Sequence, residues 1–158
     1  MTLTIRFAVP SDASTIVRFI RGLAEYEGVP DAVKVTAAEV RAQMESRDPP
    51  FECLLADYEG EPAGFALFFR NYSTWIGRSG LYLEDLFVSE KYRGRGIGGA
   101  LMRRLGEIAA ERGWARIDWA VLDWNTTAQR FYREHGGYPL ERWTGWRLDN
   151  PGREPGKP

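Results

Sequence analysis

Glycines at 94, 96, 98 and 99 stand between an apolar run ending at Val88 and a helical pattern that starts near Ile97. Missing side chains there let backbone N–H groups and a helix N-terminus come close to an anion, the arrangement a diphosphate needs. Arg93 and Arg95 either add positive charge to that turn or are solvated surface side chains. Upstream, Glu84 and Asp85 lie on the strand that runs into the turn. Strict alternation puts Tyr82, Glu84, Leu86 and Val88 on one face and Leu83, Asp85 and Phe87 on the other, so the two carboxyls point opposite ways. Glu84 is then either a proton acceptor beside a bound group or simply an exposed strand acid. Downstream, Tyr132 follows Asn125 by about two helical turns, which sets both on one face. A phenol there can donate to a bound group, although core packing of Phe131 and Tyr132 is the commoner fate of such pairs.

Gly94-Arg95-Gly96-Ile97-Gly98-Gly99 also satisfies G-x-G-x-x-G, with Asp118 about 20 residues on, where a ribose ligand would stand. A dinucleotide fold puts that fingerprint directly after its first strand. Here it follows the fourth, Ser89 to Arg93 intervene, and too little chain remains for the rest of such a sheet.

The elements that must position these groups read from the N-terminus. A strand over Leu3 to Val9 meets Pro10-Ser11-Asp12, turn and cap chemistry for a helix with Ile16, Val17, Phe19, Ile20, Leu23 and Ala24 at helical spacing. That helix ends near Glu27-Gly28. Thr36-Ala37-Ala38-Glu39 is a capping box that opens a second helix, closed by Asp48-Pro49-Pro50. Strands over Phe51 to Tyr58 and Ala63 to Asn71 flank the hairpin signal Glu59-Gly60-Glu61-Pro62, and a third runs from Leu81 to Val88. After the glycine turn, Leu101, Leu105, Ile108 and Ala109 share a helix face that stops at Gly113. A strand over Arg116 to Leu122, a helix from Thr126 to His135 and one or two short strands between Tyr138 and Leu148 complete the pattern. The predicted class is α/β (α+β): one domain over residues 1–149 with a mixed central sheet and helices on both faces, then a Pro/Gly-rich tail, 150–158, that frays.

A chain of 158 residues that is 44% hydrophobic builds one core. Its net charge of -1, with Lys and Arg scattered, argues against a nucleic-acid partner. No apolar run approaches a membrane span and Met1 to Pro10 lacks a signal peptide's features. The lone Cys53 cannot form an intrachain disulfide, so a cytoplasmic protein is expected, and Cys53 reads as buried filler in an apolar strand. With a single histidine, His135, at a helix end, no metal is expected.

Arg93-Gly94-Arg95-Gly96-Ile97-Gly98, read as Arg-x-x-Gly-x-Gly, resembles the coenzyme A turn of the GNAT superfamily of N-acetyltransferases. The likeness runs from Ile5-Arg6-Phe7-Ala8 to the late Asn-helix-Tyr segment. Leu23-Ala24-Glu25-Tyr26-Glu27, Tyr72 to Arg78, Tyr82-Leu83-Glu84-Asp85, Val121 to Asn125 and Gly145-Trp146 are similar to the diamine and polyamine acetyltransferases, and Leu122-Asp123-Trp124-Asn125 is most similar to their thialysine-preferring branch. This implies acetyl-CoA as cosubstrate, acetylation of a small-molecule amine, and a homodimer.

The resemblance also assigns roles. Glu84 matches the base-side carboxylate, working directly or through water; a base is required because an amine of reference pKa about 10.4 is protonated at neutral pH. Tyr132 matches a tyrosine beside the coenzyme sulfur. The phenol, near 10, is a weaker acid than a thiol near about 8.5, so a hydrogen bond to sulfur is a safer role than full proton donation. Backbone of Leu86, Phe87 and Val88, the turn Arg93, Gly94, Arg95, Gly96, Ile97, Gly98 and Gly99, and the helix start Asn125, Thr126, Thr127 and Ala128 match coenzyme contacts. Tyr26, Glu27, Asp118, Trp119 and Ala120 match the amine side. Trp75 and Trp124 are cationic-pocket walls or, by default, core.

Polyamine enzymes carry acid just before Gly-Trp, where this chain has Trp143-Thr144, which favours a short aminoalkyl acceptor over a long polycation. Two rivals remain: a coenzyme-binding regulatory module without turnover, and an acetyltransferase for protein amino groups.

Overall fold

The computed structural model describes residues 2–152. Contacts divide the chain into two compact units, Met1–Ala120 and Val121–Pro158. The first unit holds a mixed five-stranded sheet in the order β1 (Leu3–Phe7), β2 (Glu52–Tyr58), β3 (Glu61–Ser73), β4 (Arg78–Val88), β5 (Ile117–Asp118). Its first four strands are antiparallel neighbours, and β5 joins β4 in parallel.

Helix α1 (Ala13–Tyr26) and helix α2 (Ala37–Glu45) cover one face. Ile16, Val17 and Phe19 of α1 and Val40 of α2 pack with Cys53, Leu55, Phe65 and Leu67 of β2 and β3. Helix α3 (Ile97–Glu111) crosses β1 to β4 and buries Ile97, Leu101, Leu105 and Ile108. Thr36 caps α2 as its box predicts, accepting from the Glu39 N–H while Glu39 returns to the Thr36 N–H. Asp12 does something other than cap α1. A short 3-10 turn over Pro10–Asp12 precedes that helix, and the Asp12 carboxylate accepts the Val9 N–H and two bonds from Arg6. Arg6 also gives its Nε to Asp57 at 2.8 Å, so a single guanidinium ties the entry of α1 to β2. The β2–β3 turn has positive φ at Glu59 (53°) and Gly60 (84°), the twist a two-residue hairpin turn demands. Cys53 is buried in β2, as its apolar setting predicts, and burial pushes its thiol up.

Three sequence expectations need correction. The fifth strand is Ile117–Asp118 rather than 116–122, because its ladder contains only Leu81↔Ile117 and Tyr82↔Asp118. Among the described residues no strand forms between 138 and 148, where Tyr138, Trp146 and Leu148 are exposed instead of packed on a sheet. Trp75 is 87% exposed at the tip of the β3–β4 hairpin and Trp124 is 54% exposed in the turn before α4 (Thr126–Glu134), so neither is a core residue.

Candidate active site

The most consequential departure lies in β4. Leu83 pairs with Phe68 and Asp85 with Leu67, so Glu84 is an extra residue with no cross-strand partner, a β-bulge. Strict alternation therefore fails. Downstream of the bulge every face is exchanged: Asp85 and Phe87 join Tyr82 on the face of Leu67 and Phe65, toward α1 and α2, while Leu86 and Val88 join Leu83. Ring contacts agree, with Tyr82 stacked on Phe69 at 5.1 Å and Phe87 6.2 Å from Phe19. The β5 ladder stops at Tyr82, so from Leu83 onward β4 has a single ladder neighbour, β3. Edge backbone at Leu86, Phe87 and Val88 is open to an added hydrogen-bonding chain.

Side chains around the bulge form an acidic neighbourhood. Glu84 is exposed and Asp85 is mostly buried. Burial, then the charge of Glu84, then that of Glu27 push Asp85 up to about 6. Burial alone raises Glu27. Burial, then Glu84, then Asp118 raise the Tyr82 phenol. Glu27 therefore comes within electrostatic reach of Asp85. Asp118 is committed differently, since its Oδ2 accepts from Arg116 at 3.2 Å and from Asn71 at 3.5 Å. Trp119, half-buried, and Ala120, exposed, follow β5 directly.

Past Val88 the chain makes a 3-10 turn over Glu90–Tyr92 and then the glycine turn. Gly94 (φ 73°) and Gly96 (φ 77°) occupy the left-handed region, and each would have open space around an added Cβ. Glycine is required there by backbone conformation and not by crowding. The N–H groups of Gly94 through Gly99 donate to no acceptor among the described residues, while Ala100 begins the helical ladder by donating to Gly96. A run of unpaired N–H groups at the start of a 15-residue helix is a fit for a diphosphate. Both neighbouring arginines are exposed, and each has partners. Arg95 lies over the Tyr58 ring and donates to the Tyr58 hydroxyl at 3.4 Å. Arg93 gives its Nε to the Val88 carbonyl at 2.9 Å and stacks against Tyr26 and Phe87, on the α1 side of the sheet. Sequence patterning missed that packing, because nothing in the spacing of 26, 87 and 93 signals it.

In the second unit, Asn125 is buried to 7% exposure and caps α4, its Oδ1 accepting the Ala128 N–H at 3.1 Å. Thr126 and Thr127 are exposed in the first turn. Tyr132 lies on α4, half-buried, its ring edge-on to Phe131 at 5.2 Å. His135 is an exposed helix-end residue whose Nδ1 lies 2.8 Å from the Phe131 carbonyl.

Comparison with known proteins agrees with this geometry. Residues 18–137 match the family described as Acetyltransferase (GNAT) family, a span that includes β4, the glycine turn and α4. A thialysine N-epsilon-acetyltransferase of Bos taurus is 39% identical over 150 residues, covering 90% of this chain and 88% of the relative. Another of the same name, from Caenorhabditis elegans, is 35% identical over 137 residues, covering 87% and 84%. Among solved structures, an integron cassette protein from the mobile metagenome of V. cholerae superposes with a TM-score of 0.79 at 24% identity, covering 96% of this chain and 95% of that one. With bulge, open strand edge and unpaired turn amides in the matched span, the chain belongs to the GNAT family of acetyltransferases, enzymes that take their acyl group from acetyl-CoA.

Proposed function

We propose that this enzyme acetylates the primary amine of a small aminoalkyl substrate, thialysine, a lysine-like amino acid or a diamine or polyamine, by direct attack within a ternary complex. The observation that carries the reading is the β4 bulge. It leaves Glu84 exposed, out of the ladder, at the head of an open edge that runs into the unpaired amides of the glycine turn. The thialysine acetyltransferases at 35–39% identity support an acceptor of this class. Trp143-Thr144, where polyamine enzymes carry acid, supports a short one.

When bound, acetyl-CoA supplies an activated acetyl carbon. Amides from Gly94 to Gly99 and the α3 N-terminus would hold the diphosphate, with Arg95 adding positive charge beside them; the Asn125–Ala128 helix start is a further match to the family's coenzyme contacts. The free edge at Leu86, Phe87 and Val88 would hydrogen-bond its arm. Tyr26, Glu27, Glu84, Asp118, Trp119 and Ala120 form the amine side, where carboxylate charge favours an ammonium group. Glu84, directly or through water, would take the proton that must leave before the amine forms its C–N bond to the acetyl carbon; the thioester C–S bond then breaks with its electron pair on sulfur, to which Tyr132 would donate a hydrogen bond. Residues 1–149 act as one catalytic domain, in a cytoplasmic homodimer.

An amine panel tests this: acetyl-CoA consumption with thialysine, lysine, short diamines and spermidine. The expected result is turnover highest with the short aminoalkyl compounds. Tight coenzyme binding with no turnover on any amine would instead favour a regulatory module, and turnover on peptide amines alone a protein acetyltransferase.

A further inference from the structure

Arg93 opens the glycine turn, yet its side chain leaves that turn and crosses to the other face of the sheet. Phe87, past the bulge, faces α1 and packs against the cluster of Phe19 and Phe65. Gly22 is what allows it so close to α1, since a Cβ there would meet the Phe87 ring at 2.9 Å. The Arg93 guanidinium carbon lies 5.6 Å from the centroid of that ring and 5.1 Å from that of Tyr26, the last residue of α1. Its Nε is fixed on the Val88 carbonyl. No carboxylate among the described residues pairs with it. The same side chains line one groove with Arg18, Glu25 and Thr36. Such a guanidinium is held by two ring faces and one carbonyl, and a planar, delocalised cation suits that seat in a way an ammonium does not.

We infer that Arg93 is a positioning residue that joins the acceptor wall, Tyr26 and the adjacent Glu27, to the first residue of the coenzyme turn. This rests on the acceptor site proposed above. Ordering the turn around a diphosphate then also orders the end of α1, so coenzyme and amine bind with positive coupling. The consequence differs from that of a phosphate ligand. Removing Arg93 harms the amine side more than the coenzyme side.

The test combines binding, hydrogen exchange and kinetics on the full chain, with coenzyme A as a ligand that cannot turn over. In the parent, coenzyme A should slow exchange of the hydrogen-bonded amides of Glu27, Gly28 and Val29 at the end of α1. Arg93→Ala and Tyr26→Ala should each lose that added protection while the coenzyme Kd moves less than about threefold. Each should raise the amine KM by about tenfold, the scale of one or two cation–π contacts. The double variant should be no worse than the worse single one, because both changes break one link. Gly22→Ala, which displaces the Phe87 ring without touching Arg93, should reproduce the effect partially. Arg93→Lys should not restore it. A coenzyme Kd raised tenfold or more in Arg93→Ala, with the α1 protection kept, would make Arg93 a phosphate ligand and overturn the inference. So would a parent whose α1 amides do not respond to coenzyme A. The exchange arm uses no amine, so it stands or falls apart from the acceptor assignment, which the parent's turnover on the panel decides.

Discussion

Asp85 sits across the ladder from Leu67, while its neighbour Glu84 has no partner at all. Adjacent in sequence, the two carboxyls are divided between different environments: Glu84 is exposed and Asp85 is mostly buried among the side chains that face α1. Their substitution should give two different signatures.

Glu84→Gln keeps size and polarity and removes the proton acceptor we propose. The amine kcat/KM at pH 7 should fall by about 100-fold or more, the usual worth of a positioned base. Its rate should then climb with pH toward the pKa of the free amine, about 10.4. Initial rates from pH 6 to 10 check this, and a profile parallel to the parent's would assign the base elsewhere.

Asp85→Asn should report on stability. Burial, Glu84 and Glu27 raise this carboxyl from 3.8 to about 6. A carboxyl raised by folding holds its proton more tightly in the native state. Its stabilising contribution is complete below pH 3.8 and is lost as pH rises through about 6. The asparagine variant should therefore gain on the parent as pH rises, by about 1–3 kcal/mol at pH 7.5. Urea unfolding of both proteins at pH 4.5, 6 and 7.5 measures the difference. A gap that does not change with pH would mean an ordinary carboxyl.

Tyr132→Phe retains the ring beside Phe131 and deletes the hydroxyl. Turnover should drop by about tenfold to 100-fold, with coenzyme affinity within about twofold, the pattern of an interaction made only as the sulfur departs. Calorimetric titration of coenzyme A beside steady-state rates separates the two. Parent-like rates would remove Tyr132 from the chemistry.

Gly94→Ala and Gly96→Ala place an L side chain at φ of 73° and 77° in otherwise open space. The cost of about 1 kcal/mol comes from the backbone alone, and relieving it turns the amides away from the anion. Coenzyme affinity should weaken by about fivefold or more. Gly106→Ala, in the middle of α3 with equal space, is the matched control: it should stabilise by about 0.5–1 kcal/mol and leave coenzyme affinity unchanged. Thermal melts and calorimetry on the three variants distinguish a conformational requirement from a general effect of added bulk.

What the sequence by itself determined is local. Apolar patterning and punctuation mark α1, α3 and the β2–β3 hairpin: each helix carries one apolar face, the two strands are continuous apolar runs buried on both faces, and Gly or Pro marks the turns between elements. The Thr36–Glu39 box fixes the start of α2, since both its bonds lie within one turn. Glycine spacing marks the left-handed turn before α3, as left-handed backbone is a property of the residue itself. Only the tertiary structure decided which way the β4 side chains face, how short β5 is, and where Arg93 lies. A bulge depends on register against β3, a ladder ends where two chains diverge, and stacking among residues 26, 87 and 93 depends on how α1 meets the sheet. Each of these arises between segments far apart in the chain, where no local pattern records it.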